Sequence, residues 1–444
     1  MTTSTRMFAV CTDPIRIRVV HIRRRSARRR HVDVASINAR LGQAASTDSR
    51  ELDRICEDLA AELIDAGIEP PFQIPSADFV IDPWLICADR YWRRRFLREP
   101  TVEVAARCAR WLYDHTEPPI RPNIIEKWSL GYAFITKDSV ESRHDLTLAT
   151  GRIVETTQGS ADICYFAALY HAGKLRSNFW FDELHQFLES SLLAVAAGRH
   201  RDDPLFTGLR AFAAFGSRTI TTSHALDLLD TAWRATPRSR AVVDVCLGAL
   251  AAAPRFPERG EQLRRRATDA VTEFPDDHLF QFRLACGQRM CGDYTDALDT
   301  IDTALRLLPA IGTRISHELL QEQYLRERDV IEKGLDLAEL AAGQQTRWRA
   351  QDAANRDLRR TLQTSAIRAV ELVTVFTAAV AFAVGSLPIT LTGNLGFRDR
   401  ALLLTILGAG LLLFAFVIIA GTWIITGRHH PDPDASPPDR TSRS

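Results

Sequence analysis

Two long stretches near the C-terminal end of the chain contain no charged residue. They run from Leu372 to Leu391 and from Ala401 to Gly427. A helix needs about 20 consecutive apolar residues to cross a hydrocarbon core of about 30 Å. A buried core helix is the alternative, but the second stretch is apolar around its whole circumference, which favours lipid contact. The pattern therefore predicts a transmembrane helical hairpin over residues 372–427. Its span ends are Leu372, Leu391, Ala401 and Ile425.

The segment between these stretches, Thr392 to Arg400, is too short for anything but an antiparallel hairpin. Both outer ends of the hairpin then face the same side of the membrane. Four arginines precede the first span and one follows the second, against two in the connector. Because basic residues favour the cytoplasmic side, and no export signal is visible, we expect a multi-pass plasma-membrane protein with both termini in the cytoplasm. Small residues in both spans permit close helix packing, and therefore a homo-oligomer, although ordinary anchors share them.

From about Ala161 to Pro309 the chain alternates amphipathic helical patterns with short breaks. The clearest unit begins at His278. It has a turn at Gly292, an aromatic residue at the corner, small residues where two helices touch, and a terminating proline. An earlier helix repeats the small-residue and proline spacing. The residues that carry the pattern are Gly292, Tyr294, Ala297, Ala304 and Pro309, and in the earlier copy Ala225, Ala232 and Pro237.

This unit resembles the tetratricopeptide repeat (TPR). The resemblance covers residues 161–311 and implies an α-solenoid whose concave groove is lined by the first helix of each unit. The corresponding positions are Leu279, Phe282, Cys286, Arg289 and Met290. Family members that clamp a terminal carboxylate carry several basic and amide side chains here, whereas this chain has only Arg289, so an apolar helix or segment is the expected ligand. The alternative, that these residues only pack against the next helix, stays open.

Residues 312–371 are predicted to form a capping and stalk helix that leads into the first span. Ile315, Tyr324 and Ile331 give its first part an apolar face, and later residues are more polar. Gly334 and Gly343 are candidate breaks. The apolar positions do not form a sustained heptad seam, so a parallel coiled coil has little support.

Residues 1–47 are predicted to be a basic, disordered N-terminal segment. Six of the eight residues from Arg23 to Arg30 are arginine. Such a run can attach to anionic lipid or to RNA, at about 1 kcal/mol per basic residue near a charged bilayer. We favour a solvated tail, or a true start further along the chain. The tail over residues 428–444, rich in proline, is also predicted to be disordered.

Residues 48–160 are predicted to form a mainly helical N-terminal domain. Within it, Pro83 to Leu97 carries aromatic residues at helical spacing with five arginines beside or just after them. Interleaved aromatic and basic residues can bind nucleic acid. The same spacing describes a core stripe with a solvated basic face, which is the interpretation that we favour. No structure is predicted for Glu117 to Gly159.

Composition narrows the function classes. The 444-residue chain has a formal net charge of +1, so no global field attracts nucleic acid, which we do not expect as a partner. Only 4 of its 56 basic residues are lysine, a bias typical of a GC-rich bacterial genome. Its eight cysteines form no CxxC motif, and the sequence lacks phosphate-binding loops and the HExxH and GxSxG motifs. We therefore expect no cofactor, no metal and no catalytic site.

These observations predict an all-α protein, with a TPR-like α-solenoid followed by a long helical stalk and two transmembrane helices. The expected function is that of a membrane-anchored scaffold or adaptor that recruits a protein partner to the cytoplasmic face. A second hypothesis is a two-transmembrane effector of a bacterial conflict or defence system, which perturbs the membrane on sensing a signal. A third is an undetected enzyme within residues 48–160.

Overall fold

The structure is a computed structural model that describes residues 34–254, 256–308, 314–392 and 396–427. Its named elements are seventeen α-helices and one short 3-10 helix at Gly198–Asp202, and an isolated parallel bridge joins Ile74 to Thr116. The prediction of an all-α fold is therefore confirmed. The helices are α1 (Val34–Ala44), α2 (Ser49–Ala66), α3 (Pro83–Arg98), α4 (Val102–His115), α5 (Arg121–Ile135), α6 (Arg143–Thr156), α7 (Ala161–Ser177), α8 (Phe181–Ser190), α9 (Leu192–Ala196), α10 (Pro204–Gly216), α11 (Thr222–Trp233), α12 (Arg240–Ala252), α13 (Arg259–Glu273), α14 (His278–Cys291), α15 (Tyr294–Leu307), α16 (Arg314–Thr392) and α17 (Phe397–Gly427).

The chain divides into two compact units, Met1–Ala338 and Glu339–Ser444. In the first unit, helices pack against both the next helix and the next but one. α10 contacts α8, α11 and α12, and α14 contacts α13, α15 and α12. Close approach of α13 and α14 depends on small residues, since a Cβ atom on Gly287 would lie 2.7 Å from the backbone nitrogen of Arg264.

Helix α7 lies at the centre of the first unit. Every residue from Ile163 to Leu175 is buried, and α4, α5, α8 and α9 pack around it. A helix enclosed on all sides is apolar around its circumference. For this reason the sequence of α7 has little amphipathic periodicity.

Helix α3 buries the aromatic stripe that the sequence contains. Tyr91, Trp92 and Phe96 are buried, and the ring of Phe96 stacks on Tyr132 with centroids 4.6 Å apart. Two of its arginines pair with α2, Arg90 with Asp53 at 3.1 Å and Arg94 with Glu57. The aromatic side chains are therefore core residues, and the arginines form the solvated face.

The repeat residues named from the sequence fall at helix contacts. Ala225, Ala232, Ala297 and Ala304 are fully buried. Gly292 ends α14 with a φ of +90°, and the following amide donates to the carbonyl oxygen of Gln288 at 2.9 Å. Left-handed backbone of this kind is what glycine supplies at a helix end. The peptide bond before Pro237 is cis, and Pro309 lies outside the described residues.

Two boundaries differ from the expectation. Helix α1 occupies residues 34–44, which were expected to be disordered, and it buries Ile37, Leu41 and Ala44 against the core. Helix α16 continues through Gly334 and Gly343 without a break. Gly334 instead provides space, because a Cβ atom there would lie 2.3 Å from the ring of Tyr294. The arginine run at 23–30 and the tail at 428–444 lie outside the described residues.

Two helices are long and apolar enough to cross a membrane. One is the part of α16 within His317–Ala381 and the other is Phe397–Val417 of α17, and the apolar windows of both are entirely unburied. The first apolar stretch is a direct continuation of α16, whose helix runs from Arg314 to Thr392. The second begins with an additional charged turn that contains Arg398 and Arg400.

Candidate ligand-binding cavity

A cavity of about 1270 Å³ opens in the first unit between α5, α7, α10, α12 and α14. The loop that precedes α3, the segment before α12 and the start of α16 complete its wall. Its residues come from sequence positions 77 to 323, so that widely separated parts of the chain meet there. A concave site lined by both apolar and polar groups is the usual setting for ligand binding.

Glycine lets the central helices approach one another at the wall of this cavity. A Cβ atom on Gly173 of α7 would lie 2.7 Å from the Cβ atom of Ala133 on α5. On α12, a Cβ atom on Gly248 would lie 3.3 Å from the Arg176 guanidinium. Both glycines line the cavity, and they bring the polar side chains of α7 and α12 within reach of each other.

An ion pair between α7 and α12 lies in the wall. Arg176 donates to Asp244 with a distance of 2.8 Å, and both side chains are largely buried. Burial alone would raise the pKa of Asp244, but the charges of Arg176, Arg283 and Arg240 outweigh it and lower that pKa. Asp244 is therefore a carboxylate whose charge is already neutralised by the protein.

Basic side chains outnumber acidic ones in the cavity. Five basic residues line it, Lys127, Arg176, Arg238, Arg240 and Arg283, against the two acidic residues Glu126 and Asp244. Arg240 pairs with Asp277 at 2.6 Å, and Arg238 pairs with Glu273 and donates to the carbonyl oxygen of Trp233 at 3.1 Å. These two arginines therefore have partners outside the cavity wall.

Lys127 and Arg283 differ from the other three basic residues. Within the described part of the chain, neither makes an ion pair or a hydrogen bond. Lys127 places its Nζ 3.5 Å from the centre of the Phe79 ring, and burial lowers its pKa. The Nε of Arg283 is buried without an acceptor among the described residues. The hydrogen-bonding capacity of both groups is therefore unused within the described residues.

Two phenylalanines at the cavity are unusually exposed for large apolar residues. Phe134 near the end of α5 is 62% exposed and Phe179 just after α7 is 59% exposed. Phe179 has a φ of +56°, and its amide donates to the carbonyl oxygen of Arg176 at 3.0 Å. Its ring lies 6.2 Å from that of Phe212, which also lines the cavity. The cavity is therefore both basic and aromatic.

The five groove positions inferred from the sequence separate in the structure. Leu279 lines the cavity. Phe282 stacks on Tyr324 of α16 with centroids 4.5 Å apart, and Arg289 pairs with Glu327 at 2.5 Å. Cys286 is buried. Met290 packs against Gly260 of α13, since a Cβ atom on Gly260 would lie only 2.9 Å from the Cβ atom of Met290. Four of the five thus pack against neighbouring helices, which is the alternative left open from the sequence.

A buried ionic cluster is centred on Lys174 of α7, next to the cavity-lining residue Gly173. Lys174 is fully buried, and its Nζ donates to the carbonyl oxygens of Pro100 and Ser139 and to Glu141 at 2.6, 2.7 and 2.9 Å. Glu141 also accepts from the Val102 amide at 2.7 Å and lies 3.5 Å from Nδ1 of His171. All three donors of Lys174 are used, so this cluster joins α7 to two loops and to the start of α4.

The charge of Glu141 is strongly favoured in the folded state. Burial by itself would raise its pKa, but His171 and Lys174 outweigh that effect and hold the pKa of Glu141 at about 2. Burial in turn lowers the pKa of Lys174, against the opposing charge of Glu141. The pair therefore stabilises the packing of α7 against the two loops.

Another polar cluster joins α7 to the 3-10 helix. His200 lies between Asp203 and Asp162, with nitrogen–oxygen distances of 2.7 and 2.6 Å, and stacks on Tyr165. In the described segments, no group of three or more His, Cys, Asp or Glu side chains is placed to hold a metal ion.

No family model, curated protein or solved structure matches this chain. The resemblance of the segment over α14 and α15 to tetratricopeptide repeats therefore stays a prediction from the sequence. The cavity itself has to be interpreted from its own side chains.

Proposed function

We propose that this chain is a membrane-anchored, TPR-like adaptor whose first unit binds a segment of a partner protein in the cavity. The proposal is carried by one cavity that contains exposed aromatic rings and two cationic groups, Lys127 and Arg283, that make no ion pair or hydrogen bond within the described residues. In a solenoid of paired helices such a cavity corresponds to the concave surface, which is the usual recognition surface of repeat proteins.

The two apolar helices supply the membrane attachment in this proposal. Phe376 of α16 is 67% exposed and Leu412 of α17 is 75% exposed. Exposed apolar surface costs roughly 25 cal/mol per Å² in water, so that helices with such surfaces all around are expected to lie in lipid. The arginines that flank the hairpin favour the plasma membrane with both termini on the cytoplasmic side.

A protein is the better expected partner than nucleic acid. The aromatic residues of α3, which are the stacking candidates in the sequence, are buried. Many of the described basic residues pair with carboxylates, as Arg107 does with Glu69 and Arg152 with Glu103. These residues therefore do not provide an extended basic surface for a phosphate backbone.

Crosslinking in cells tests the adaptor function directly. A photo-crosslinking amino acid in place of Phe134 is expected to give a discrete protein adduct in the membrane fraction. The same amino acid in place of Leu192, which is 57% exposed on α9 and does not line the cavity, is the matched control. An identical adduct pattern at both positions, or a chain found in the soluble fraction, would contradict the proposal.

The effector hypothesis makes a different prediction about the hairpin. Induced expression of an adaptor leaves growth unchanged whether or not residues 366–427 are present. Growth arrest or dye leakage that requires those residues would contradict the adaptor function. It would favour an effector that perturbs the membrane when it senses a signal.

A further inference from the structure

We propose that the cavity binds a peptide segment that combines carboxylate and apolar side chains, as in an acidic amphipathic stretch of a partner protein. This inference depends on the proposed adaptor function and specifies the chemistry of its ligand. It is carried by the charge of the cavity, by its aromatic lining and by the backbone of Phe179.

The charge of the cavity selects for an anion. Asp244 forms its ion pair with Arg176, and the charges of Arg283 and Arg240 also act on it, so one carboxylate faces three arginines. Glu126 is the other acidic residue of the lining, and burial raises its pKa. Lys127 and Arg283 make no ion pair within the described residues, and a ligand carboxylate would form one with them.

The apolar part of the lining selects for a ligand that also carries apolar groups. Five phenylalanines line the cavity: Phe79, Phe134, Phe179, Phe212 and Phe274. Rings of this kind contribute mainly by removing apolar area from water. A small inorganic anion would leave these rings solvated, whereas a peptide with alternating character contacts both kinds of group.

The backbone of Phe179 provides independent support. Its φ of +56° lies in the left-handed region, which glycine adopts readily and a residue with a Cβ atom does not. The position follows a helix end, where glycine is the usual residue. A strained aromatic residue with an exposed ring at a cavity is typical of a ligand contact.

The size of the cavity favours a peptide over a small metabolite. Its volume is about 1270 Å³ and it extends across five helices, whereas pockets for small molecules are usually about 300–1,000 Å³. Successive helices of this kind offer repeated contacts along an extended chain.

The test measures binding to the full-length protein in detergent micelles. The probe is a fluorescein-labelled peptide of alternating glutamate and leucine, and the matched probe alternates lysine and leucine. We expect the glutamate peptide alone to bind, and we expect excess ATP not to displace it.

Two sets of variants separate ligand contact from folding. The double variant Lys127→Ala/Arg283→Ala is expected to raise the Kd for the glutamate peptide about tenfold or more, since charge-assisted hydrogen bonds are lost. Phe179→Gly is expected to raise the Kd several-fold, by roughly the loss of one aromatic contact, while increasing the thermal unfolding temperature because strain is relieved. The control is Gln158→Gly, which has the same left-handed backbone with a φ of 50° and lies outside the cavity. It should raise the unfolding temperature and leave the Kd unchanged.

Several results would overturn the inference. These are failure of the glutamate peptide to bind, equal binding of the lysine peptide, displacement by ATP, or a Phe179→Gly variant with unchanged Kd. Cell fractionation distinguishes this failure from failure of the adaptor function. If the chain is soluble but binds the glutamate peptide, only the proposed membrane attachment is wrong. If the chain is membrane-bound but does not bind this peptide, only the proposed ligand class is wrong.

Discussion

At the scale of single residues, Glu141 and Lys174 combine burial with charge. The Lys174 side chain is fully buried and that of Glu141 is 10% exposed. Each charge would be expensive in isolation, and together they are satisfied by one another and by backbone groups from two loops. Removing either one leaves the other buried without its partner.

Glu141 should make the first unit sensitive to acid. Its pKa of about 2 in the folded state lies below the ordinary value of 4.5. A lowered pKa stabilises the fold above the unfolded value, and this contribution is lost as the pH falls from about 4.5 towards 2. The shift corresponds to roughly 3 kcal/mol at neutral pH. Tryptophan fluorescence during urea unfolding at several pH values would measure it.

The control for this experiment lies in the adjacent loop. Asp138 is 87% exposed and pairs with Lys137 at the surface. Glu141→Gln should flatten the dependence of the unfolding free energy on pH over this window, and Asp138→Asn should leave it intact. An unaltered slope in the Glu141→Gln variant would show that other groups govern acid unfolding.

Replacing Lys174 tests the pair as a unit. Lys174→Met is expected to lower the unfolding free energy by about 3–5 kcal/mol, because Glu141 remains buried without its counter-ion. The double variant Lys174→Met/Glu141→Leu is expected to be less destabilised than the single variant, since no uncompensated charge remains. Chemical denaturation of the three proteins gives the coupling energy. Purely additive losses would be inconsistent with a coupled pair.

At the scale of elements, α16 is one continuous helix of 79 residues with two glycines that do different things. Its first part buries Tyr324 and Ile331 against the helices of the first unit. Gly334 lies against the Tyr294 ring, whereas a Cβ atom on Gly343 would have nothing within 4 Å. One glycine is required by packing and the other is not.

This difference predicts opposite effects of the same substitution. Gly334→Ala forces the ring of Tyr294 to move and is expected to destabilise the first unit by about 1–3 kcal/mol, as overpacking does. Gly343→Ala should strengthen the helix by up to about 1 kcal/mol, because alanine has the higher helix propensity. Thermal unfolding of both variants checks the pair. A stabilising Gly334→Ala substitution would mean that the contact with Tyr294 is not tight.

At the scale of the whole molecule, a helical unit with a cavity precedes a unit with two long apolar helices. Within the proposed function, the second unit determines where the cavity operates. An arginine at a position facing lipid would cost about 2.5–3.5 kcal/mol at the centre of a span. Leu412→Arg is therefore expected to reduce the fraction of the chain that resists alkaline extraction from membranes.

Leu362→Arg is the matched substitution outside the apolar stretches. Leu362 is 57% exposed on α16, in a segment that already contains several arginines, so its replacement should leave extraction unchanged. Equal extraction of both variants and of the unaltered chain would argue against lipid contact by α17.

The sequence by itself determined the features that depend on local patterns. The uncharged stretch that begins at Leu372 forms the C-terminal part of α16, and the one that begins at Ala401 forms most of α17. The turn at Gly292, which Tyr294 and the small residues Ala297 and Ala304 follow, coincides with the junction of α14 and α15. Helix periodicity and turn chemistry act over a few residues, and for this reason they can be recognised in one dimension. No structure was predicted for residues 117–159, yet they contain α5 and α6, because tertiary contacts stabilise helices with weak periodicity.

Only the tertiary structure decided which residues meet in the cavity. Lys127, Arg176 and Arg283 lie on three different helices, and no spacing along the chain relates them. Helix α7 has almost no amphipathic pattern because it is buried on all sides, so its central position and the role of Lys174 could not be inferred from periodicity. Most of the expected groove positions were taken up by contacts with α13 and α16. Burial and ion pairing depend on which residues are neighbours in space. Residues far apart in the sequence become neighbours only when the helices pack.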